Sequence, residues 1–367
     1  MSLFPAKVPF LDLRIQDPAE RREMLEALEG IMTHGRFVLG PEVAQFEAEV
    51  ARRCGRRFAV GVNSGTDALL LGLRCLDLKP GDEVITTSLT WLATASAVRV
   101  AGGTPVFADI REDLNIDPES VARLISPRTK AILPVHYTGK MCRMDELGKI
   151  AQAHNIPVIE DCAQSFGASL DGRPVGSLGL IGCFSMNPMK VLAALGEAGV
   201  LVTDREDLAA RLERLRYHGT VNRERCVELS WNGRLDTLQA AFLLRRLQRF
   251  DALIARRREI AAWYGKLLAG VVDLPVERPG ERDVYYTYQI RADRRDELKA
   301  HLESRGIETK IQHPILTPEQ PVHAGARGEW TRAAALKTRI LCLPAHEKLE
   351  LGQVEHVAAC VREFYGG

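Results

Sequence analysis

Short apolar runs alternate with segments of helical period from about residue 56 of this 367-residue chain, and this alternation constrains the fold more than any other feature. It is typical of βα units, in which helices connect parallel strands. The runs are apolar on both faces, which indicates a sheet that helices cover on both sides. We therefore predict an α/β fold with a mostly parallel, seven-stranded sheet flanked by helices. The predicted strands are Phe58–Val62, Glu83–Thr87, Pro105–Ile110, Ala131–His136, Val158–Cys162, Ile181–Met186 and Gly199–Thr203.

A second, smaller unit is predicted in the C-terminal third of the chain. An Arg-rich amphipathic pattern from Leu235 to about Leu268 predicts a long helix that connects the two units. The later segments predict strands and helices at Val284–Ile290, Arg294–Ser304, Glu308–Gln312 and Leu351–Phe364. We therefore predict a large domain over residues 1–250 and a small C-terminal α+β domain over residues 251–367. The N-terminal segment could pack on the small domain.

Composition and charge exclude several classes of function. The formal net charge is +1, without the basic excess that attracts nucleic acids or anionic membranes. The longest apolar runs are strand-sized, and the N-terminus lacks the pattern of a signal peptide. Eight cysteines show neither CxxC nor Cys/His spacing. We therefore expect reduced, buried thiols in a cytoplasmic protein, with no metal site and no nucleic-acid or membrane partner.

One lysine follows an apolar strand in a turn. Lys190 ends the stretch that begins at Ile181, and Pro188 marks the turn. Asp161 ends the preceding predicted strand, and the carboxyl ends of parallel strands meet at one edge of a sheet. Pyridoxal phosphate (PLP) requires an amine that reaches its aldehyde and a carboxylate that keeps its pyridine nitrogen protonated. We interpret Lys190 and Asp161 as these two groups, although Asp161 taken alone could also be a helix N-cap or part of a buried ion pair.

A turn that contains glycine could hold the phosphate of such a cofactor. In this turn, Gly65 allows a tight bend, Thr66 supplies a hydroxyl group, and the free N–H groups of the following helix suit an anion. Simple N-capping by Ser64 or Thr66 also explains these residues. Ser185, close to Lys190 in sequence, is a further candidate phosphate ligand.

Two other residues suit the ring of the cofactor. Trp91 lies just beyond the second predicted strand, where an aromatic ring either stacks on the cofactor or caps the sheet as a core residue. Gln164 follows Asp161 and could donate a hydrogen bond to the ring oxygen. Asn232 precedes the long helix and is, by spacing alone, an ordinary loop residue.

Taken together, these segments resemble the sugar aminotransferases of the DegT/DnrJ/EryC1/StrS family, which are fold-type I PLP enzymes. The resemblance extends through nearly the whole chain, and its specificity lies in the order of the motifs. The segments that carry it are Pro9–Leu13, Gly35–Glu42, Asn63–Leu69, Pro80–Val84, Pro127–Ala131, Glu160–Gly167, the Lys190 turn, Asn232–Ala241 and Leu343–His346.

The resemblance implies a fold-type I PLP-transferase that forms a homodimer, with each active site at the subunit interface. It also implies a role for each matching residue. Lys190 would form the Schiff base, and Asp161 would pair with the pyridine nitrogen. Gly65, Thr66 and Ser185 would bind the phosphate, Trp91 would stack on the ring, and Gln164 would bind the ring oxygen. Asn232 would bind the phosphate of the partner subunit's cofactor. The substrate would be contacted by Asn187, Arg234 and His313, with Arg234 facing the partner's substrate.

The activity that the resemblance implies is transfer of an amino group to a nucleotide-linked keto-sugar, with glutamate as the donor. One alternative is a PLP-dependent sugar dehydratase or deoxygenase, but known examples carry histidine in place of the lysine. The other is a non-catalytic PLP-binding regulatory protein, and the near-zero net charge weighs against DNA binding. The chain has Gln312-His313-Pro314 where many relatives carry a His-Tyr-Pro-like loop, so the particular sugar is not predicted.

Overall fold

The structure is a computed structural model that describes residues 7–366. The first six residues of the predicted large domain and the last residue of the small domain lie outside the described residues. The α-helices in the described range are α1 (Pro18–His34), α2 (Pro41–Arg53), α3 (Gly65–Arg74), α4 (Leu92–Val100), α5 (Pro118–Leu124), α6 (Met144–His154), α7 (Glu206–Leu215), α8 (Thr237–Leu267), α9 (Arg295–Ser304), α10 (Thr331–Leu336) and α11 (Leu351–Phe364). No helix in this range is long and apolar enough to cross a bilayer.

Helix starts follow the capping chemistry of the sequence. α1 begins at Pro18, and the side chain of Asp17 accepts a hydrogen bond from the N–H of Ala19 at 2.9 Å. α5 repeats the arrangement with Asp117 before Pro118. Proline suits the first helical position because its missing N–H would have no partner there. These caps define where the chain leaves each loop.

Seven strands form one mixed sheet at the centre of the fold. They are β1 (Phe58–Val62), β2 (Glu83–Thr87), β3 (Thr104–Ala108), β4 (Thr129–Leu133), β5 (Ile159–Asp161), β6 (Ile181–Ser185) and β7 (Gly199–Thr203). Their order is β3–β2–β4–β5–β6–β7–β1, with backbone bridges Ile132–Val158 and Val135–Asp161 joining β4 to β5. Among these strands, β7 alone runs opposite to the direction of the other six. The predicted mostly parallel, seven-stranded sheet is confirmed.

Helices cover both faces of this sheet, because side chains alternate between the faces along each strand. On β2, Ile85 belongs to a core formed with α2, α5, α6 and the first half of α8. Its neighbour Val84 belongs to a separate core formed with α3, α4 and α7. Packing on both faces of the sheet explains why the predicted strands are apolar on both faces.

A second core lies around the other half of α8. Two further strands, β8 (Tyr288–Arg291) and β9 (Ile340–Leu343), pair antiparallel there and pack with α9 and α11. Val8 joins this core and pairs with Ile307. α8 continues without a break past residue 250, and the division into two domains at that residue remains a proposal.

Two predicted strands of this region differ from the structure. Only residues from Tyr288 onward are regular in the predicted strand Val284–Ile290, because Tyr285 has a positive φ of 47° and turns the backbone away. The predicted strand Glu308–Gln312 reduces to a single bridge between Lys310 and Cys342. In both places, contacts with other segments determine the backbone conformation, and the local alternation of apolar and polar residues does not.

Candidate active site

A carboxylate and an amine meet at one edge of the central sheet. Asp161 is the last residue of β5 and is 3% exposed. Its Oδ2 accepts a hydrogen bond from Thr94 at 2.8 Å, and its Oδ1 accepts one from the N–H of Ala163 at 3.1 Å. Burial raises the pKa of Asp161, and these two hydrogen bonds and the charge of Lys190 offset only part of that rise. A cationic group beside Asp161 would complete its stabilisation.

Lys190 is held by a tight turn after β6. Its N–H donates to the carbonyl oxygen of Asn187 at 2.8 Å, and its side chain is half-buried. Nζ lies 3.5 Å from the hydroxyl oxygen of Tyr286 and 4.6 Å from the centre of that ring. Among the described residues it forms no ion pair with a carboxylate. The turn therefore holds Lys190 in place, and its amine has no carboxylate partner within the described part of the chain.

The start of α3 forms an anion cradle against the end of β6. Ser64 caps the helix, accepting from the N–H of Asp67 at 3.1 Å, which leaves the N–H groups of Gly65 and Thr66 without intrahelical partners. A Cβ on Gly65 would lie 2.4 Å from Cβ and 2.9 Å from Oγ of Ser185. Capping by Ser64 and anion binding are thus compatible, because they use different N–H groups.

Three aromatic side chains surround the open side of this edge. Trp91 is 60% exposed, so the alternative of a core tryptophan is wrong. Its ring centre lies 6.3 Å from that of His313, which in turn lies 5.6 Å from the ring of Tyr137. Nε2 of His313 is buried without a hydrogen-bond partner among the described residues. Burial, together with the charges of Lys310 and Lys190, lowers the pKa of His313 to about 4.

Gln164 is buried beside Asp161, and its Oε1 accepts a hydrogen bond from the N–H of Thr138 at 2.8 Å. Asn187 is already engaged in the Lys190 turn. Its Oδ1 accepts from the N–H of Met189 at 3.0 Å, and its Nδ2 donates to Glu197 at 2.6 Å. These bonds favour a role for Asn187 in shaping the turn over direct contact with substrate.

Asn232 and Arg234 lie together at another part of the edge. Nε of Arg234 donates to Oδ1 of Asn232 at 2.8 Å, and its guanidinium lies 4.3 Å from the ring centre of Tyr217. The backbone of this loop bonds to Asn63, just before the anion cradle. Neither side chain hydrogen-bonds to Lys190 or Asp161 within the described chain. Their predicted action on a partner subunit stays a prediction.

Three buried residues of ligand type lie close together behind the site: His136, Glu160 and Cys162. Nε2 of His136 is 2.9 Å from Glu160, and its Nδ1 accepts from the N–H of Cys142 at 3.0 Å. Burial raises the pKa of Glu160, but His136 and the N–H groups of Gly179 and Leu178 outweigh that effect and lower it. The cluster is satisfied by protein groups and needs no ion.

Two residues at this edge were missed from the sequence. Thr94 lies three positions after Trp91, one turn along α4, and this spacing is a signal that could have found it. Tyr286 comes from the irregular segment before β8, and no local pattern marks it. It reaches Lys190 only through tertiary folding.

A mostly parallel sheet with a lysine, a buried carboxylate and an anion cradle at one edge defines the class of fold-type I PLP enzymes. The residues present fit this cofactor, since neither Asp161 nor Lys190 has an ion-pair partner among the described residues, and the cradle lies at the end of β6, the strand that pairs with β5. The sequence model of the DegT/DnrJ/EryC1/StrS aminotransferase family matches residues 18–362. The chain belongs to this family, whose cofactor is PLP.

Individual proteins agree with this assignment. The chain is 41% identical over 364 residues to a dTDP-3-amino-3,4,6-trideoxy-alpha-D-glucose transaminase from Streptomyces venezuelae, covering 98% of this chain and 96% of that protein. It is 38% identical over 366 residues to a protein of Geobacillus stearothermophilus named a pleiotropic regulatory protein, with 98% of each covered. The crystal structure of S. venezuelae DesV in complex with a ketimine intermediate has a TM-score of 0.95 and 41% identity, covering 99% of this chain and 100% of that chain.

Proposed function

We propose that this protein is a PLP-dependent aminotransferase that converts a nucleotide-linked keto-sugar to an amino-sugar, with glutamate as the amino donor. The observation that carries the proposal is the juxtaposition of an uncommitted Lys190 amine with the buried carboxylate of Asp161. The relatives named as sugar transaminases support the substrate class. The sugar and the nucleotide stay open.

Different site residues would bind different parts of PLP. The phosphate would be held by the free N–H groups of Gly65 and Thr66 and by the hydroxyl of Ser185, because the helix start packs closely against Ser185. Asp161 pairs with the pyridine nitrogen, and its carboxylate gains the cation that it lacks. Trp91 stacks on the ring, and Gln164 donates to the ring oxygen. When bound, PLP supplies an electron sink for bond breaking at the amino-bearing carbon.

Lys190 is the residue that transfers protons in the proposed reaction. Its Nζ would hold the aldehyde end of the cofactor when no amino donor is bound. Its free Nζ then removes the proton from the α-carbon of the donor as a general base, and in the second half-reaction it acts in reverse on the sugar carbon. Tyr286 limits the motion of the amine, because its hydroxyl oxygen and ring lie on one side of Nζ. We expect His313, which lies close enough to Lys190 to feel its charge, to contact the sugar.

An absorption experiment tests the reaction class. The purified protein with PLP should show a band of the bound cofactor that changes to the pyridoxamine form when glutamate is added. A panel of dTDP-, UDP- and GDP-linked amino-sugars, used in the reverse direction, then identifies the sugar. A spectrum that responds to neither glutamate nor any amino-sugar would favour the regulatory or dehydratase alternatives.

A homodimer is part of the proposal, with Asn232 and Arg234 acting on the site of the partner subunit. Its support is that both lie at the sheet edge, yet neither bonds to the Lys190 side of its own chain. Mixing Lys190→Ala protein with Asn232→Ala protein tests it. If Asn232 acts across the interface, each mixed dimer regains one intact site, so random pairing restores about a quarter of wild-type sites. Action within one chain would restore none.

A cytoplasmic location is likewise proposed. It is supported by eight cysteines, none of which forms a disulfide in the described chain and seven of which are buried.

A further inference from the structure

A strained turn contacts the cofactor site from behind. Thr138 lies in a 3-10 turn, Tyr137–Gly139, and has φ 65° and ψ −7°. It is the single β-branched residue with a positive φ in the described chain. Left-handed backbone is costly for a β-branched side chain, because its Cβ substituents crowd the adjacent backbone. Such strain persists only where the surroundings enforce it, and it is concentrated at functional sites.

The positive φ of Thr138 directs its N–H group at Gln164. The N–H of Thr138 donates to Oε1 of Gln164 at 2.8 Å, and both residues are buried. A side-chain amide has one accepting and one donating end, and its hydrogen bonds decide which end faces which way. With Oε1 bound by Thr138, Nε2 is the end left for a ligand, and it has no partner among the described residues.

Contacts from two distant segments enforce the turn. Asn115 is 1% exposed, and its Oδ1 accepts from the N–H of Tyr137 at 2.9 Å. On the other side, the N–H of Val284 donates to the carbonyl oxygen of Gly139 at 3.2 Å, and the N–H of Thr287 donates to that of Thr138 at 3.3 Å.

The fit on that side is close. A Cβ on Gly139 would lie 2.8 Å from the backbone nitrogen of Tyr286. The segment that clamps the turn, residues 284–287, therefore also carries the tyrosine that lies against Lys190. The same segment thus contacts the amine through the side chain of Tyr286 and the turn that orients Gln164 through its backbone.

We propose that Thr138 is a positioning residue: the strained turn fixes the amide of Gln164 so that it presents Nε2, a hydrogen-bond donor, to the ring oxygen of PLP. The inference rests on the proposed function, because it needs the cofactor ring beside Gln164. It assigns the strain a purpose, since a relaxed turn would point the N–H elsewhere and leave the amide free to rotate. An inverted amide would present an oxygen to the cofactor oxygen and repel it.

Replacement of Thr138 by proline is the direct test, because proline has no N–H and cannot adopt a positive φ. The absorbance of bound PLP is titrated with pH in wild type and variant. A donor stabilises negative charge on the ring oxygen, so its loss should raise the midpoint by about one pH unit. Gln164→Leu, which deletes the donor, gives the full size of the shift.

The conservative variant Thr138→Gly separates positioning from simple structural support. Glycine keeps the N–H and adopts the positive φ without strain. Its titration midpoint should therefore equal that of the wild type, and the cofactor-free chain should melt at an unchanged or higher temperature. A Thr138→Gly protein with the same shift as Thr138→Pro would show that the side chain, and not the directed N–H, matters, and would overturn the proposal.

A wild-type midpoint in PLP-bound Thr138→Pro would also overturn it. If that variant does not fold, Asn115→Ala decides instead, because it removes the acceptor that holds Tyr137. A smaller rise in the midpoint supports the proposal, and an unchanged midpoint overturns it. The proposed function fails differently. Wild-type protein that binds no PLP would overturn both proposals. Wild-type protein that binds PLP without responding to glutamate would overturn only the proposed function, and the titration would still test the role of Thr138.

Discussion

Two regions enclose the candidate site, and they are built by different means. The sheet edge consists of Asp161 and Ser185 at the ends of β5 and β6, of Lys190 after β6, and of Gly65 at the start of α3. Its residues are placed by the hydrogen-bond ladders of the sheet. The cover, residues 283–287 and 313–317, has irregular backbone and is fixed by single contacts, such as the bond from the N–H of Thr317 to the carbonyl oxygen of Ser88 at 3.1 Å. In the proposed function, the sheet edge binds the cofactor through regular structure. The cover adds Tyr286 beside Lys190 and His313 toward the substrate, on loops that can change without altering the fold.

The largest effect should come from the sheet edge. Lys190→Ala should reduce transamination by about 1,000-fold or more, because it removes both the covalent anchor and the general base. The measurement is single-turnover conversion of the bound cofactor by glutamate. Lys149→Ala, on the exposed face of α6, is the matched control and should behave as wild type. Full activity in Lys190→Ala would refute the assignment.

Asp161→Asn should have opposite effects on activity and on stability. An amide cannot keep the pyridine nitrogen protonated, so turnover should fall about 100-fold. The raised pKa of Asp161 means that the cofactor-free fold binds its proton more tightly than the unfolded chain, so the ionised carboxylate costs stability above the unfolded pKa. The cofactor-free variant should therefore unfold at higher denaturant concentration at pH 7.

Asp204→Asn is the control for that pair of effects. Burial raises the pKa of Asp204, but hydrogen bonds and charge from Arg56 and Arg57 outweigh it and lower the pKa. The variant should gain no stability and should keep wild-type turnover, since Asp204 lies away from the edge residues. Equal behaviour of the two variants would contradict a special role for the buried carboxylate.

Gly65→Ala tests the anion cradle itself. The new Cβ would collide with Ser185 at 2.4 Å and push β6 and α3 apart. PLP affinity should fall about 10- to 100-fold, as expected when about 1.4–2.8 kcal/mol of binding energy is lost. Fluorescence titration with PLP measures this. In Gly148→Ala, on α6, the Cβ meets nothing within 4 Å, so affinity should not change.

The sequence allowed prediction of the sheet edge far better than of the cover. Lys190 and Asp161 could be placed because each ends an apolar run, and parallel strands bring such ends together. Tyr286 and Thr138 could not, since a hydrogen bond between residues 138 and 287 is not encoded in the pattern of either segment. The strand predicted at Val284–Ile290 was wrong over its first half for the same reason: a positive φ at Tyr285 serves a tertiary contact.

The smallest effect should come from the cover, and it concerns stability. The pKa of His313 is lowered to about 4 from 6.5 by burial and by the charges of Lys310 and Lys190. Between these pH values the unfolded chain binds a proton here that the folded chain excludes, so the free energy of unfolding falls as the pH drops through 6.5. Burial also lowers the pKa of His323 and His346, which add to the trend.

His313→Gln should therefore lose less stability than wild type between pH 7 and pH 5, by about 1 kcal/mol in cofactor-free protein measured by urea unfolding. His154→Gln, exposed at the end of α6, is the control and should retain the wild-type pH dependence. PLP affinity at pH 8 should be the same in both variants, because the cradle and Asp161 are untouched. A loss of PLP affinity in His313→Gln would break the comparison, since it would make residues 313–317 of the cover, as well as Tyr286, part of the cofactor site.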